Sequence, residues 1–431
     1  MANKNLSLDQ SIDASQDYNL CCVQGTLQQL LDCTKIDPPS RAKVLNALSF
    51  PMGDADLRPD RCFSEIHAWS ATKELPYCKT TQYLPGDDLR WGLVAISGAL
   101  HWTHINAEGF CTFIDVLTGS KLWLLARPKA TTENGDYNYK EFADIHLFSD
   151  GYKFKDPNTE KWDIEAVVCY QRCFVYRIMQ PNTPHIVFTL EHAICTGGHF
   201  YATSTLQDTL YGLEHHFFIG HLVTNTDHIS SRLLLRHFAH FFHNRLIGDF
   251  TSRVLDLFAL CTIMELMNVL HPGTYQENGL SRLERDECAV ARGKCRDILQ
   301  WFFARYVLFD DKNDSPVDGP AIYWEYLALH VQTLQIYAAN TKYTHYQAKG
   351  NNTLDLSHAL GFRDQVDCCF KGVEAFHKAF DSLSHNDIEF GNLAWPRDRH
   401  YVVRPSSKPV PAHNTCVRWL PLLWICSNFV P

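Results

Sequence analysis

Two histidines, an asparagine and a lysine stand out in this 431-residue chain: His104-Ile105-Asn106, Lys121 at a spacing of 17 from His104, and His185 at a spacing of 81. Imidazole is both the commonest metal ligand and an acid–base group near neutral pH. In an extended segment residues i and i+2 point the same way, so His104 and Asn106 can address one point. Taken singly, each histidine is better read as a hydrogen-bonded core residue, and Lys121, after a Gly-Ser turn, as an exposed strand residue. What sets them apart is that the offsets occur together.

The elements around them are short and β-rich. From Gly92 to Ser204 the runs GLVAIS, FCTFIDVL, KLWLLA, AVVC, CFVYRI, HIVFTL and AICTGGHFYAT read as strands. Thr118-Gly119-Ser120 reads as a tight hairpin between two of them, and the polar stretch between Pro128 and Trp162 as a long connection. Many short strands with Gly/Pro turns predict a sandwich or jelly roll. After Gln207 the period becomes helical over 229–247, 251–270, 281–308, 321–340 and 364–383, with a loop at 309–320. Before the strands, 20–33 and 40–50 read as short helices around Pro38-Pro39. The expected division is a loose segment 1–19, a helical region 20–91, the β-domain 92–206, a helical domain 207–390, and a Pro-rich stretch with an apolar tail at 391–431.

The segments HWTHINAEGFCTFIDVLTGSKLWLLARP (101–128) and MQPNTPHIVFTLEHAICTGGHFYAT (179–203) resemble the Jumonji C (JmjC) family. The likeness is greatest to the lineage-specific JmjC-like proteins of mushroom-forming fungi. It covers about 115 residues, roughly 92–206. The family pattern is His-x-Asp/Glu, a lysine about 17 residues on, and a second His followed by a Gly-Gly pair, here Gly197-Gly198. The resemblance implies an α+β chain whose β-part is a double-stranded β-helix, a cupin-like jelly-roll barrel, with N-terminal helices and a large C-terminal helical domain. It also implies Fe(II) held by His104, position 106 and His185. Lys121 would hold the remote carboxylate of 2-oxoglutarate by a charge-assisted contact. Thr103 and His199 would stand beside the cosubstrate.

One position departs from the pattern. Asn106 offers a neutral amide oxygen where the family has Asp or Glu, so the metal loses its one protein anion. Glu108, two residues on, is placed to swing in if the turn permits, or an external anion can fill the position. His101 either assists the cosubstrate or caps its strand, and His199 is a spare ligand or a packing residue. His192, His215, His216 and His221 read as surface or structural groups, and the Phe/Leu stripe of 229–247 as core.

Composition narrows the partners. Hydrophobic residues make up 45% and charged residues 20%, a balance that supports a sizeable core. The net charge is −9 with no run of five Lys/Arg, which disfavours tight nucleic-acid binding and is compatible with a basic peptide such as a histone tail. Sixteen cysteines without one C-x-x-C pair read as reduced thiols, and with no apolar leader they point to the nucleus or cytoplasm. The apolar tail Val417 to Val430, broken by Pro421, is too short to span a bilayer and reads as a packed terminal segment.

Two functions follow as expectations. One is a 2-oxoglutarate-dependent dioxygenase that uses O₂ to hydroxylate or N-demethylate a protein, histone lysine included, or a small molecule. The other is a catalytically weakened JmjC-like scaffold whose helical half binds a partner. A cupin-like binding protein for another metal is third. Position 106 separates them.

Overall fold

The computed structural model describes residues 6–10, 22–37, 45–51, 64–128, 162–171, 177–223, 228–245, 253–276, 279–348, 357–383 and 401–407. The chain opens with strands β1 (Leu6–Gln10) and β2 (Cys22–Gly25), helix α1 (Leu27–Thr34) and strand β3 (Leu45–Pro51). Helix α2 (Ser64–Thr72) and a single turn, α3 (Gly86–Leu89), follow. Eight strands come next: β4 (Arg90–Ala95), β5 (Leu100–His104), β6 (Cys111–Thr118), β7 (Ser120–Pro128), β8 (Trp162–Tyr170), β9 (Arg177–Met179), β10 (His185–Thr189) and β11 (Ala193–Phe200).

These strands form two antiparallel sheets. One runs β2-β1-β3-β4-β11-β6-β9 and the other β5-β10-β7-β8. Ile114, Val116, Met179, Ala193 and Cys195 from the first meet Trp123, Leu125 and Val187 from the second in a shared core. The residues that enter this core alternate along β6 (Ile114, Val116), β7 (Trp123, Leu125) and β11 (Ala193, Cys195), as a half-buried strand requires. Among the described residues no ladder joins the two sheets, so they face each other without closing into the expected barrel.

Several local expectations are corrected. Residues 6–10, expected loose, are a strand, and 45–51, expected helical, pair with β4 through Asn46↔Ala95 and Ala47↔Val94. The run Leu45-Asn46-Ala47 also alternates. Pairing against the open edge of β4 satisfies its backbone groups and buries Leu45 and Ala47 with Leu30 and Ile96. Thr118-Gly119-Ser120 is no hairpin: β6 and β7 lie in different sheets, and Gly119, at φ +76°, carries the chain from one to the other. A Cβ at Gly119 would overlap the His192 carbonyl, which restricts the corner to glycine.

The helical half begins at α4 (Leu206–Val223) and continues through α5 (Leu234–Asn244), α6 (Val254–Leu266) and α7 (Arg282–Arg305). The loop expected at 309–320 is instead part of a small sheet. Strand β12 (Tyr306–Asp310) pairs with β13 (Pro316–Val317) and with β14 (Tyr401–Pro405), which comes from the Pro-rich stretch. Between β13 and β14 lie α8 (Gly319–Ala348), α9 (Ser357–Cys369) and α10 (Glu374–Ser382). Gly372, at φ +76°, breaks the run expected as one helix over 364–383. The stripe of α5 is core, with Leu234, His237 and Phe238 buried.

The cysteines whose side chains are described are free thiols. No helix of the described residues is long and apolar enough to cross a membrane. The connection 129–161 and the tail 417–430 lie outside the described residues.

Candidate functional site

His104 ends β5 and His185 begins β10, and the two are directly opposite in the ladder between them. Their ring centres are 4.0 Å apart, so the two strands bring the rings into contact. His185 is buried, and its Nδ1 donates to the Thr183 carbonyl at 2.9 Å, which leaves Nε2 with its lone pair. Burial, reinforced by His104, holds His185 well below the usual histidine range, so it is a neutral nitrogen donor at pH 7. Trp123 stacks on the same imidazole at 5.4 Å and fixes its plane.

A register shift adds a third ring. His104 pairs with His185 but His101 pairs with Val187, so β5 advances three residues while β10 advances two. One extra residue on one strand is a β-bulge, which turns side chains relative to the pleat. His101 and His104 thus share a side despite their odd spacing, with ring centres 4.1 Å apart. His101 is also held well below its usual range, first by burial and then by His104, His185 and Lys121. Thr103 sits within the bulge, half-buried.

Lys121 points between the sheets from β7, two and four residues before the core residues Trp123 and Leu125. It lies opposite Thr189 on β10 and Cys169 on β8, and is only 2% exposed. Burial pushes its pKa down to about 8. Among the described residues Cys195 is the neighbour that favours its charge, and burial pushes that thiol up to about 11. No carboxylate among the described residues pairs with Lys121. The Trp123 indole N–H is buried nearby on the strand, also without an acceptor among the described residues.

The third ligand position is where the expected set fails. Asn106 is half-buried in extended backbone (φ −64°, ψ 137°) at the start of a 3-10 turn, Ala107–Gly109, and its side chain caps nothing there. Glu108 does not swing toward the histidines. It is fully buried at φ +59°, and both its oxygens engage the Arg232 guanidinium, with Nη2 donating to Oε1 at 3.1 Å. His216 Nε2 stands 3.4 Å from the same carboxylate. A buried carboxylate needs such partners, and once it has them it is no longer available to a metal. Among the described residues no three His, Cys, Asp or Glu are grouped so as to hold a metal ion.

Of the two readings of His199, its contacts favour packing. Its Nε2 accepts from Trp91 Nε1–H at 3.1 Å and its Nδ1 donates to Thr112 Oγ1 at 2.8 Å, so both nitrogens are spent. It stacks on Phe110 at 5.1 Å and supports the wall of the site by packing. His192, exposed, accepts from the Ser97 amide, while His215 and His216 are buried. The side chain of His221 lies outside those described.

The helical half supplies residues that the sequence did not mark. Arg232 lies 124 positions from Glu108, and nothing in the local pattern couples them. Asn182, at φ +59°, donates to the Asp208 carbonyl at 2.7 Å, and Thr209 Oγ1 donates to the Gly109 carbonyl at 2.9 Å. Helix α4 therefore grips both the loop after His104 and the loop before His185. In comparison with known proteins, no family model matches this chain and no curated protein matches it.

Proposed function

We propose that the chain is a JmjC-type Fe(II)/2-oxoglutarate-dependent dioxygenase that hydroxylates or N-demethylates a protein, histone lysine among the candidates, or a small molecule. The observation that carries this reading is Lys121: a buried ammonium between two sheets, with no carboxylate partner among the described residues. A buried cation is costly unless paired, and an anionic ligand would pair it. The carboxylate of a small dicarboxylate such as 2-oxoglutarate suits Lys121, with the Trp123 N–H as a second donor. The paired histidines lie on the same inner surface.

The strand order supports a double-stranded β-helix. The eight strands β4 to β11 divide as β4-β11-β6-β9 against β5-β10-β7-β8, the order in which a jelly roll winds two four-stranded sheets.

For the iron itself the donor set does not fit as it stands. His104 and His185 provide two nitrogens, Asn106 only an amide oxygen, and Glu108 is committed to Arg232. The reaction of the two-histidine, one-carboxylate set therefore does not carry over unless a further donor or an anion completes it. The same observation favours the second reading, a weakened JmjC-like scaffold whose helical half binds a partner.

Uncoupled conversion of 2-oxoglutarate to succinate, with Fe(II) and O₂ but no substrate, separates the two. Asn106→Asp should tighten Fe(II) binding by at least about tenfold, roughly 1.4 kcal/mol, and should form succinate faster than wild type. Binding of 2-oxoglutarate with no succinate from either protein favours the scaffold. Failure of both proteins to bind 2-oxoglutarate would end the proposal.

A further inference from the structure

On the reading of Lys121 as an anion anchor, we infer that Thr189 is the second donor of that subsite: its hydroxyl and the ammonium together hold one terminal carboxylate of a small acid. Neither the sequence pattern nor the strand periods mark this residue.

The ladder sets its position. Lys121 on β7 faces Thr189 on β10, as Trp123 faces Val187 and Leu125 faces His185. Trp123, Leu125 and Val187 enter the core between the sheets, and side chains alternate along a strand. Thr189 and Lys121 therefore point to that same inner side. The Thr189 N–H donates to the Ala99 carbonyl and the Thr189 carbonyl accepts from the Gly98 N–H, both at 2.8 Å. Both backbone groups of Thr189 are thus spent toward the β5 side. Toward β7 the flanking bond runs from the Leu190 N–H to the Ser120 carbonyl at 3.0 Å, which makes Lys121 and Thr189 a non-hydrogen-bonded pair. In such a pair the Cα atoms approach to about 4.5 Å and the side chains lie closest.

Burial is the second observation. Thr189 is 1% exposed and Lys121 2%. Among the described residues neither side chain has a hydrogen-bond partner. Packing alone would be served as well by valine, which has the shape of threonine and fills the next inner position, Val187. A hydroxyl or an ammonium buried without a partner costs free energy that a bound acceptor removes. The hydroxyl cannot balance the charge of Lys121. A carboxylate can, and it has two oxygens, one for each donor. Cys195 supplies no anion there, because burial holds its thiol protonated.

Calorimetric titration of the full chain with 2-oxoglutarate tests the assignment. Thr189→Val keeps the shape and removes the donor. It should weaken binding by at least about tenfold, as the loss of a hydrogen bond to a charged group does. Thr189→Ser keeps the hydroxyl and should bind close to wild type, and Lys121→Ala should bind more weakly than either. Thermal unfolding of each variant separates loss of the donor from loss of fold. Should Thr189→Val not fold, a crystal structure of wild type with 2-oxoglutarate takes its place, with Thr189 Oγ1 expected within hydrogen-bond distance of the remote carboxylate. Full affinity in Thr189→Val, equal losses in Thr189→Val and Thr189→Ser, or a hydroxyl turned away from the bound acid overturns the assignment. A loss confined to Lys121→Ala leaves the anchor reading intact. If wild type binds no 2-oxoglutarate, or Lys121→Ala binds it as wild type does, both fall.

Discussion

Lys121 keeps a positive charge between two sheets where an apolar residue would pack at lower cost. Its folded pKa is about 8 against 10.5 for a free lysine, so the unfolded chain binds more protons between those values. Stability therefore rises with pH across that window, and below about pH 8 the burial cost is present in full. Lys121→Met removes it. The variant should be more stable than wild type at pH 7 by on the order of 2–3 kcal/mol, and the difference should shrink toward pH 10.5. Urea unfolding at both values checks this, and a variant destabilised at pH 7 would mean that the ammonium has a partner that holds it. The lysine and both histidines were legible because their offsets agree jointly. The fate of Glu108 was not, because a carboxylate two residues from a ligand looks available until its partner, 124 residues away, is known.

At the scale of elements, the site is positioned by three devices: the β5 bulge, the 3-10 turn after Asn106, and the docking of α4. The turn contains Glu108 and Gly109, both at positive φ. Gly109 lies against the Thr209 backbone, and Gly212 against Gly109, so that no Cβ fits at either. The Glu108–Arg232 pair closes this arrangement from the helical side. Removing one partner of a buried pair leaves the other without its main counter-charge, so Arg232→Met should cost about 3–5 kcal/mol. Adding Glu108→Gln to it should recover a large part of that loss, as a double-mutant cycle by urea unfolding would show. Strictly additive losses would mean that the two residues do not act as a pair. Strand and helix periods gave most of these elements. They could not give the sheet assignment: FCTFIDVL and KLWLLA around a glycine look the same whether the chain makes a hairpin or turns a corner between sheets. The bulge is equally silent, because it is defined by the partner strand.

Over the whole molecule, the two halves share one core. Ile105 and Phe110, which flank the turn after Asn106, are buried in the same cluster as Leu210 and Tyr211 of α4 and Phe258 of α6. The boundary expected at 206/207 coincides with the start of α4, yet the packing crosses it. The helices therefore support the loops that follow His104 and precede His185. If the site is what Lys121 and the histidine pair suggest, the molecule as a whole should take up one small dicarboxylate through that lysine. Calorimetric titration of the full chain with 2-oxoglutarate, with and without anaerobic Fe(II), tests this most directly. The account predicts one site in wild type, weakened by about 2–5 kcal/mol in Lys121→Ala and weakened as pH rises through about 8. An affinity unchanged by the substitution, or no binding by wild type under either condition, would contradict it.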